Sequence, residues 1–268
     1  MAPLRTALLQ GPPGVPGSVA DSLRALDEAA ARAAAQGARL LATSELFLTG
    51  YALGDRVAGL AEPADGPSAA RVDAIAARHG LAIAYGFPER GSGPGTVFNA
   101  VRLVGPDGTG LAVYRKAHLF GDYERAVFTP GDRPLVQATV DGVRIGLLIC
   151  YDVEFPEAVR VHALAGTELL VVPTALMRPY EFVPQVLVPA RAYENGMHVA
   201  YANRCGPEGE FDFAGLSCLA GPDGAVRARA GAGPELLVAE ADPEVLRAAR
   251  ADTPYLADRR PELYRDLT

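Results

Sequence analysis

Cys150, Glu45 and Lys116 are side chains whose types combine into a reaction. A cysteine attacks as its thiolate, and a free thiol pKa of about 8.5 leaves little of that form at neutral pH. It needs a base or a nearby cation. A carboxylate such as Glu45 takes the proton. An ammonium such as Lys116 steadies the thiolate and then the oxyanion of a tetrahedral intermediate, and the backbone N–H of Tyr151, just past the cysteine, is a second oxyanion donor. Each of the three residues ends an apolar run: "RLLATSE" on Glu45, "LAVYRK" on Lys116 and "GLLIC" on Cys150. Such runs predict buried strands, so all three are placed at the carboxyl ends of strands, where open α/β sheets form their sites.

Plainer readings stand beside this one. A cysteine after an apolar run also serves as packing, and a Glu–Lys pair at strand ends also forms an ordinary ion pair. His118 shares a face with Lys116 if that strand runs on, which makes a Cys150–His118 dyad the rival catalytic arrangement. The histidines His79, His118, His162 and His198 lack ligand spacing, and no CxxC or HExxH occurs. No metal is therefore expected, and no other cofactor is expected.

The elements that must position these residues alternate. A strand over 5–11 is followed by a helix with Ser18 as cap and Gly37 as stop. The run 39–45 is a second strand, 68–80 a helix ending at Gly80, and "LAIAYGF" a third strand. This βαβα order predicts an α/β layered fold. Two hairpins follow, one around the GPDG turn at 105–108 and one around Asp141-Gly142. "FPEAVRVHALAG" is a helix with Pro156 in its first turn, "TELLVVPTAL" a strand, and a second GPDG turn at 221–224 sits in a hairpin of the same grammar. The repetition hints at two related halves. No linker or low-complexity stretch divides the chain, so residues 1–268 are read as a single domain.

Composition narrows the partners. Of the 268 residues, 49% are hydrophobic and 21% charged, as in ordinary globular proteins. The formal net charge of -7 argues against nucleic-acid or anionic-membrane binding, which need basic surface. The N-terminal apolar stretch is too short and too soon broken for a signal peptide, and no run approaches a membrane span. Three cysteines, an odd and sparse set, argue against a disulfide framework and for a reduced, cytoplasmic setting.

The chain resembles the carbon–nitrogen hydrolases, or nitrilase superfamily, over essentially its whole length. "SELFLTGY" (44–51), "YRKAHLFGDYERAVFTPG" (114–131), "GLLICYDVEFPE" (146–157), "VVPTA" (171–175), "PARAYENG" (189–196) and "YANRCGPEG" (201–209) carry the resemblance by their order and spacing. It implies a four-layer αββα sandwich of the nitrilase type. It implies a Glu–Lys–Cys triad on Glu45, Lys116 and Cys150, with a second glutamate at Glu124. It also implies protomers that pair, for which the tail 251–268, with Tyr255 and Tyr264, is the expected contact in a homodimer or larger homo-oligomer. Ser44 stands where the family commonly has proline, which removes one restraint from the turn carrying Glu45. Tyr-Asp after the cysteine resembles amidase-like branches, where true nitrilases more often carry Trp-Glu. The nearest likeness is to 5-aminopentanamidases and R-stereoselective amidases. The implied activity is hydrolysis of a small aliphatic amide, ω-amino amides included. N-carbamoyl amine hydrolysis, nitrile hydrolysis and a silent binding scaffold are the alternatives. Tyr51, His118, Tyr151 and Glu181 complete the candidate oxyanion- and substrate-binding set. Glu181, in "MRPYEF" at a strand end, is read either as the acceptor of a substrate ammonium or as a surface acid paired with Arg178.

Overall fold

A computed structural model describes residues 2–265. The first half runs β1 (Leu4–Gln10), α1 (Val19–Ala35), β2 (Leu40–Ala42), α2 (Val57–Leu60), α3 (Pro67–His79), β3 (Ala82–Arg90), β4 (Val97–Val104) and β5 (Gly110–Arg115). The second half runs α4 (Gly121–Val127), β6 (Gln137–Val140), β7 (Val143–Leu147), α5 (Pro156–Leu164), β8 (Leu169–Thr174), α6 (Val188–Asn195) and β9 (His198–Asn203). It continues with β10 (Cys205–Glu208), β11 (Phe211–Ala214), β12 (Cys218–Ala220), β13 (Val226–Arg229), β14 (Glu235–Ala241), α7 (Pro243–Asp252) and α8 (Tyr255–Asp258).

Local chemistry explains many of the boundaries. The Ser18 side chain accepts from the Asp21 amide to start α1, and Gly80 takes the left-handed conformation that ends α3. Asp141 and Gly142 both have positive φ, 48° and 83°, as a two-residue turn matched to strand twist requires.

The described strands form two six-stranded sheets and a two-stranded ribbon. One sheet has the order β14-β1-β2-β3-β4-β5 and the other β13-β12-β9-β8-β7-β6. Each has three adjacent parallel strands, β1-β2-β3 or β7-β8-β9, with antiparallel strands on both sides. The two halves thus repeat one pairing pattern, and the two GPDG hairpins fall at equivalent places in it.

The sheets pack face to face between helices, an αββα sandwich. Strand alternation assigns the faces. Leu8, Leu40, Ala82 and Val101 join the core shared with Ile145, Leu147 and Val172 of the other sheet. Ala7, Leu41, Ile83 and Ala100 turn the other way onto Leu26, Ala30 and Val72 of α1 and α3. Strands covered on both faces read as unbroken apolar runs, which is why they were legible. No helix among the described residues is long and apolar enough to cross a membrane.

Three strand ends differ from expectation. β2 stops at Ala42, three residues before Glu45, and β7 at Leu147, three before Cys150. Leu46 and Cys150 have φ of 49° and 47°, outside any strand conformation. β5 stops at Arg115, so His118 lies on no strand and the shared-face argument for it fails. Of the tail 251–268, residues 266–268 lie outside those described. Tyr255 opens the short α8 and packs edge-on against Tyr193, with ring centroids 5.7 Å apart.

Candidate active site

Three chain segments beyond strand ends bring the acid, the base and the thiol together. The turn after β2 carries Glu45. It rests against Gly86 of β3, where an added Cβ would lie 2.5 Å from the Leu46 nitrogen and 2.7 Å from the Ser44 oxygen, so the close approach requires glycine. The Glu45 amide donates to the Thr174 carbonyl at the end of β8, 3.3 Å away. Arg204 Nη1 donates to the Glu45 carbonyl at 3.2 Å. These contacts hold the turn with serine at position 44.

Lys116 follows β5, its amide donating to the Asn99 carbonyl at 2.8 Å and its carbonyl accepting from Gly131 at 2.8 Å. Its side chain is fully buried. Nζ donates to Glu45 Oε1 at 2.7 Å and Glu124 Oε1 at 2.6 Å. An ammonium between two carboxylates in a solvent-inaccessible interior survives only because the partners compensate its desolvation. Burial alone works against the charge, but Glu45 and Glu124 outweigh it, and the Lys116 pKa lies well above its ordinary value.

The two glutamates differ in what remains free. Glu124 Oε1 also accepts from the Tyr51 hydroxyl at 2.8 Å, and its Oε2 accepts from the Phe120 amide at 2.8 Å. Both oxygens are occupied. Glu45 Oε1 accepts from Lys116 and from Asn99 Nδ2, the latter at 2.6 Å, but its Oε2 is buried without a hydrogen-bond partner among the described residues. Burial raises the Glu45 pKa to about 7; Lys116 opposes that shift and Glu124 adds to it. One carboxylate is pinned, and the other has an open oxygen poised to exchange a proton near neutrality.

Cys150 begins a 3-10 turn, Cys150–Glu154, that leaves β7. Its positive φ places a non-glycine residue in the left-handed region, a strained backbone. Asp152 holds this elbow. Its buried carboxylate accepts from the Ile149 amide at 3.1 Å, the Tyr114 hydroxyl at 2.9 Å and the His118 amide at 2.8 Å. Burial and then the Glu45 charge push the Cys150 thiol well above its usual pKa, while Lys116 pulls the other way. The resting thiol therefore keeps its proton, and a nucleophilic role for it would require a base. The Tyr151 amide lies at the start of the same turn, where N–H groups have no acceptor within the turn.

Cys150 lines a cavity of about 70 Å³ with Tyr51, Glu154 and an apolar wall of Phe120, Leu176, Met177 and Tyr180. Tyr180 is 47% exposed, so the wall reaches solvent. Wider hollows elsewhere, including one of about 490 Å³ beside Phe155, do not contain the thiol.

Glu45, Lys116, Glu124, Tyr51 and Cys150 are thus brought together. Tyr151 contributes its backbone position, while its ring packs edge-on against Phe120 and Phe155. His118 is not brought in. Its Nδ1 lies 2.7 Å from Asp152 Oδ1, its ring stacks on Phe155 at 4.0 Å, and it lines the other hollow. Glu181 is not brought in either. Arg178 Nη1 donates to its Oε1 at 2.8 Å, and Glu181 does not line the cysteine's cavity. Of the two readings of that acid, the structure has the ion pair.

Sequence reasoning missed Asn99, Asp152, Glu154 and Glu208. Glu208 accepts from the Tyr51 and Ala52 amides and pairs with Arg204. It lay in a quoted motif, "YANRCGPEG", without a role. Glu154 was visible as the acid at the far end of the turn that starts at Cys150.

Comparison with known proteins agrees with this arrangement. The carbon-nitrogen hydrolase family model matches residues 5–251. A hydrolase in the pqqF 5' region of Pseudomonas protegens is 49% identical, over 99% of this chain and 92% of its own. An (R)-stereoselective amidase from Pseudomonas sp. is 39% identical, over 82% of this chain and 79% of its own. The solved structure of an amidase from Nesterenkonia sp. AN1 superposes with a TM-score of 0.89 at 39% identity, covering 99% of this chain and 97% of that one. With this fold, this elbow and this match, the chain belongs to the carbon–nitrogen hydrolase family, in the amidase-like branch of the nitrilase superfamily, and is a hydrolase of amide carbon–nitrogen bonds.

Proposed function

We propose that the protein cleaves a small aliphatic amide, ω-amino amides included, to a carboxylate and ammonia through a thioester on Cys150. Glu45 Oε2 takes the thiol proton as Sγ bonds to the carbonyl carbon. The oxyanion that forms is met by Lys116 Nζ and the Tyr151 N–H. The proton passes from Glu45 to the departing nitrogen, the C–N bond breaks and ammonia leaves. Glu45 then takes a proton from water as its oxygen attacks the thioester. The C–S bond breaks, and the thiol recovers its proton.

The observation that carries this reading is the open, buried Glu45 Oε2 beside a Lys116 that is fixed on both sides. The relatives support it. The amidase from Nesterenkonia sp. AN1 carries in one structure the acetamide moiety of fluoroacetamide at its active-site cysteine, and in another a cysteine-to-alanine mutant holds butyramide. Intact mass measurement during turnover of a slow amide is the test. An acyl adduct on wild type that is lost in Cys150→Ala is expected. Steady turnover by Cys150→Ala overturns the reading.

A second reading, hydrolysis of N-carbamoyl amines, is favoured by 33% identity, over 88% of this chain, to an N-carbamoylputrescine amidase of Solanum lycopersicum. Release of carbon dioxide from a carbamoyl amine, with no turnover of simple amides, would select it.

The protein also acts as a homo-oligomer in this proposal. Leu263 and Tyr264 of the tail are 61% and 47% exposed, and apolar and aromatic surface of this kind is typical of contacts between protomers. Light scattering is expected to give a dimer or larger, and an active monomer refutes it.

A further inference from the structure

We infer that Glu154 reads a positive charge on the substrate and so sets a preference for short amides ending in an ammonium. The inference rests on the amidase reading above and names the residue that selects within it.

Glu154 lines the same cavity as Cys150 and is the acidic residue among those facing it. It is half-buried. Its carboxylate makes no hydrogen bond or ion pair with any described residue, whereas Glu45, Glu124, Asp152, Glu181 and Glu208 all have partners. The cations whose fields reach it are engaged elsewhere. Lys116 Nζ lies between Glu45 and Glu124. Arg191 donates to the Val153 carbonyl at 3.1 Å, the Glu154 carbonyl at 2.7 Å and Glu194 Oε1 at 2.9 Å. A partly desolvated carboxylate without a counter-charge is costly, and burial already raises its pKa. Such a group lowers its free energy when a cation arrives.

The rest of the cavity suits that cation's chain. Phe120, Leu176 and Met177 present apolar surface for methylenes, and the Phe120 and Tyr180 rings, 6.0 Å apart and edge-on, are good neighbours for an ammonium. Cys150 and Glu154 are the first and last residues of one 3-10 turn. At about 2 Å of rise per residue their Cα atoms stand roughly 8 Å apart, so thiol and carboxylate address the two ends of a short molecule.

The experiment compares 5-aminopentanamide with pentanamide. Wild type is expected to favour the charged amide in kcat/KM by roughly tenfold to hundredfold, the range of a charge-assisted hydrogen bond. Glu154→Gln is expected to lose most of that ratio, Glu154→Asp to retain part of it, and Glu181→Gln to retain all of it. Calorimetric titration of both amides into Cys150→Ala, with and without Glu154→Gln, reads the same ratio as affinity without turnover. Hydrolysis of both amides at equal kcat/KM, or a ratio that survives in Glu154→Gln, overturns the inference and leaves the amidase reading intact. Failure of wild type to hydrolyse or bind either amide overturns both.

Discussion

The carboxylates around Lys116 and those beside the cysteine's cavity differ in how fully the protein occupies them. In the first group, Lys116, Asn99, Tyr51 and the Phe120 amide fill three of the four oxygens of Glu45 and Glu124. Every donor there is fully or almost fully buried except Phe120, and the groups come from three separate segments of chain, 45–51, 99 and 116–124. Beside the cavity, the Glu154 carboxylate has no partner among the described residues, and Glu181 is satisfied by Arg178 three residues away. The first region is over-determined, as the proposed proton transfer requires. The second is sparsely bonded, which is where specificity is able to vary without disturbing the chemistry.

Substitutions test that contrast, and the largest effect is expected at the thiol itself. Cys150→Ala should lower kcat at least about a thousandfold, with Tm changed by only a few degrees, because a small thiol in a cavity contributes little packing. Turnover close to wild type would dissolve the distinction between the two regions.

Next come the charges of the first group. Glu45→Gln and Lys116→Ala should each lower kcat by about two to four orders of magnitude, and the double variant should be little worse than either, since the residues act as one unit. Lys116→Ala should also be unstable. It strands two buried carboxylates, at a cost of about 3 to 5 kcal/mol, so Tm should fall by roughly 10 °C. A variant that keeps its Tm and changes only KM would make Lys116 a substrate contact and not part of the fixed cluster.

A smaller effect is a shift in pH dependence. Glu45 must be ionised to accept the thiol proton, so kcat/KM should fall as pH drops through the region of its pKa of about 7. The hydrogen bond from Asn99 lowers that pKa. Asn99→Leu removes it, so the acid limb should move to higher pH and activity at pH 7 should drop by roughly tenfold. An acid limb that stays in place would show that another group sets it.

Glu181→Gln should give the smallest effect, less than about twofold in kcat/KM on any amide, because the change removes a single partly exposed ion pair. A selective loss against charged amides would move the reading of substrate charge from Glu154 back to Glu181.

The sequence by itself determined the local structure and pointed to the candidate site. Ser18, Gly80 and Asp141-Gly142 specify their caps and turn through backbone geometry that depends on neighbours a few residues away. Apolar runs reported β1, β3 and β8 because strands covered on both faces have no polar side. The motif order pointed to Glu45, Lys116, Glu124 and Cys150. What only the tertiary structure decided was which polar groups share a desolvated space. Lys116 meets Glu45 across 71 positions and Tyr51 meets Glu124 across 73, and no local signal encodes either distance. Strand spacing suggested that His118 faced the site, yet β5 stops at Arg115, and Asp152 takes His118 away into the elbow's support. Two acids near the cysteine's cavity, Glu154 and Glu181, look alike as letters. One lies beside an arginine within its own turn and is neutralised there; the other lines the cysteine's cavity, its carboxylate unpaired among the described residues. Desolvation is a property of everything packed around a group, so it appears only once the sheets, the elbow and the loops have closed on one another.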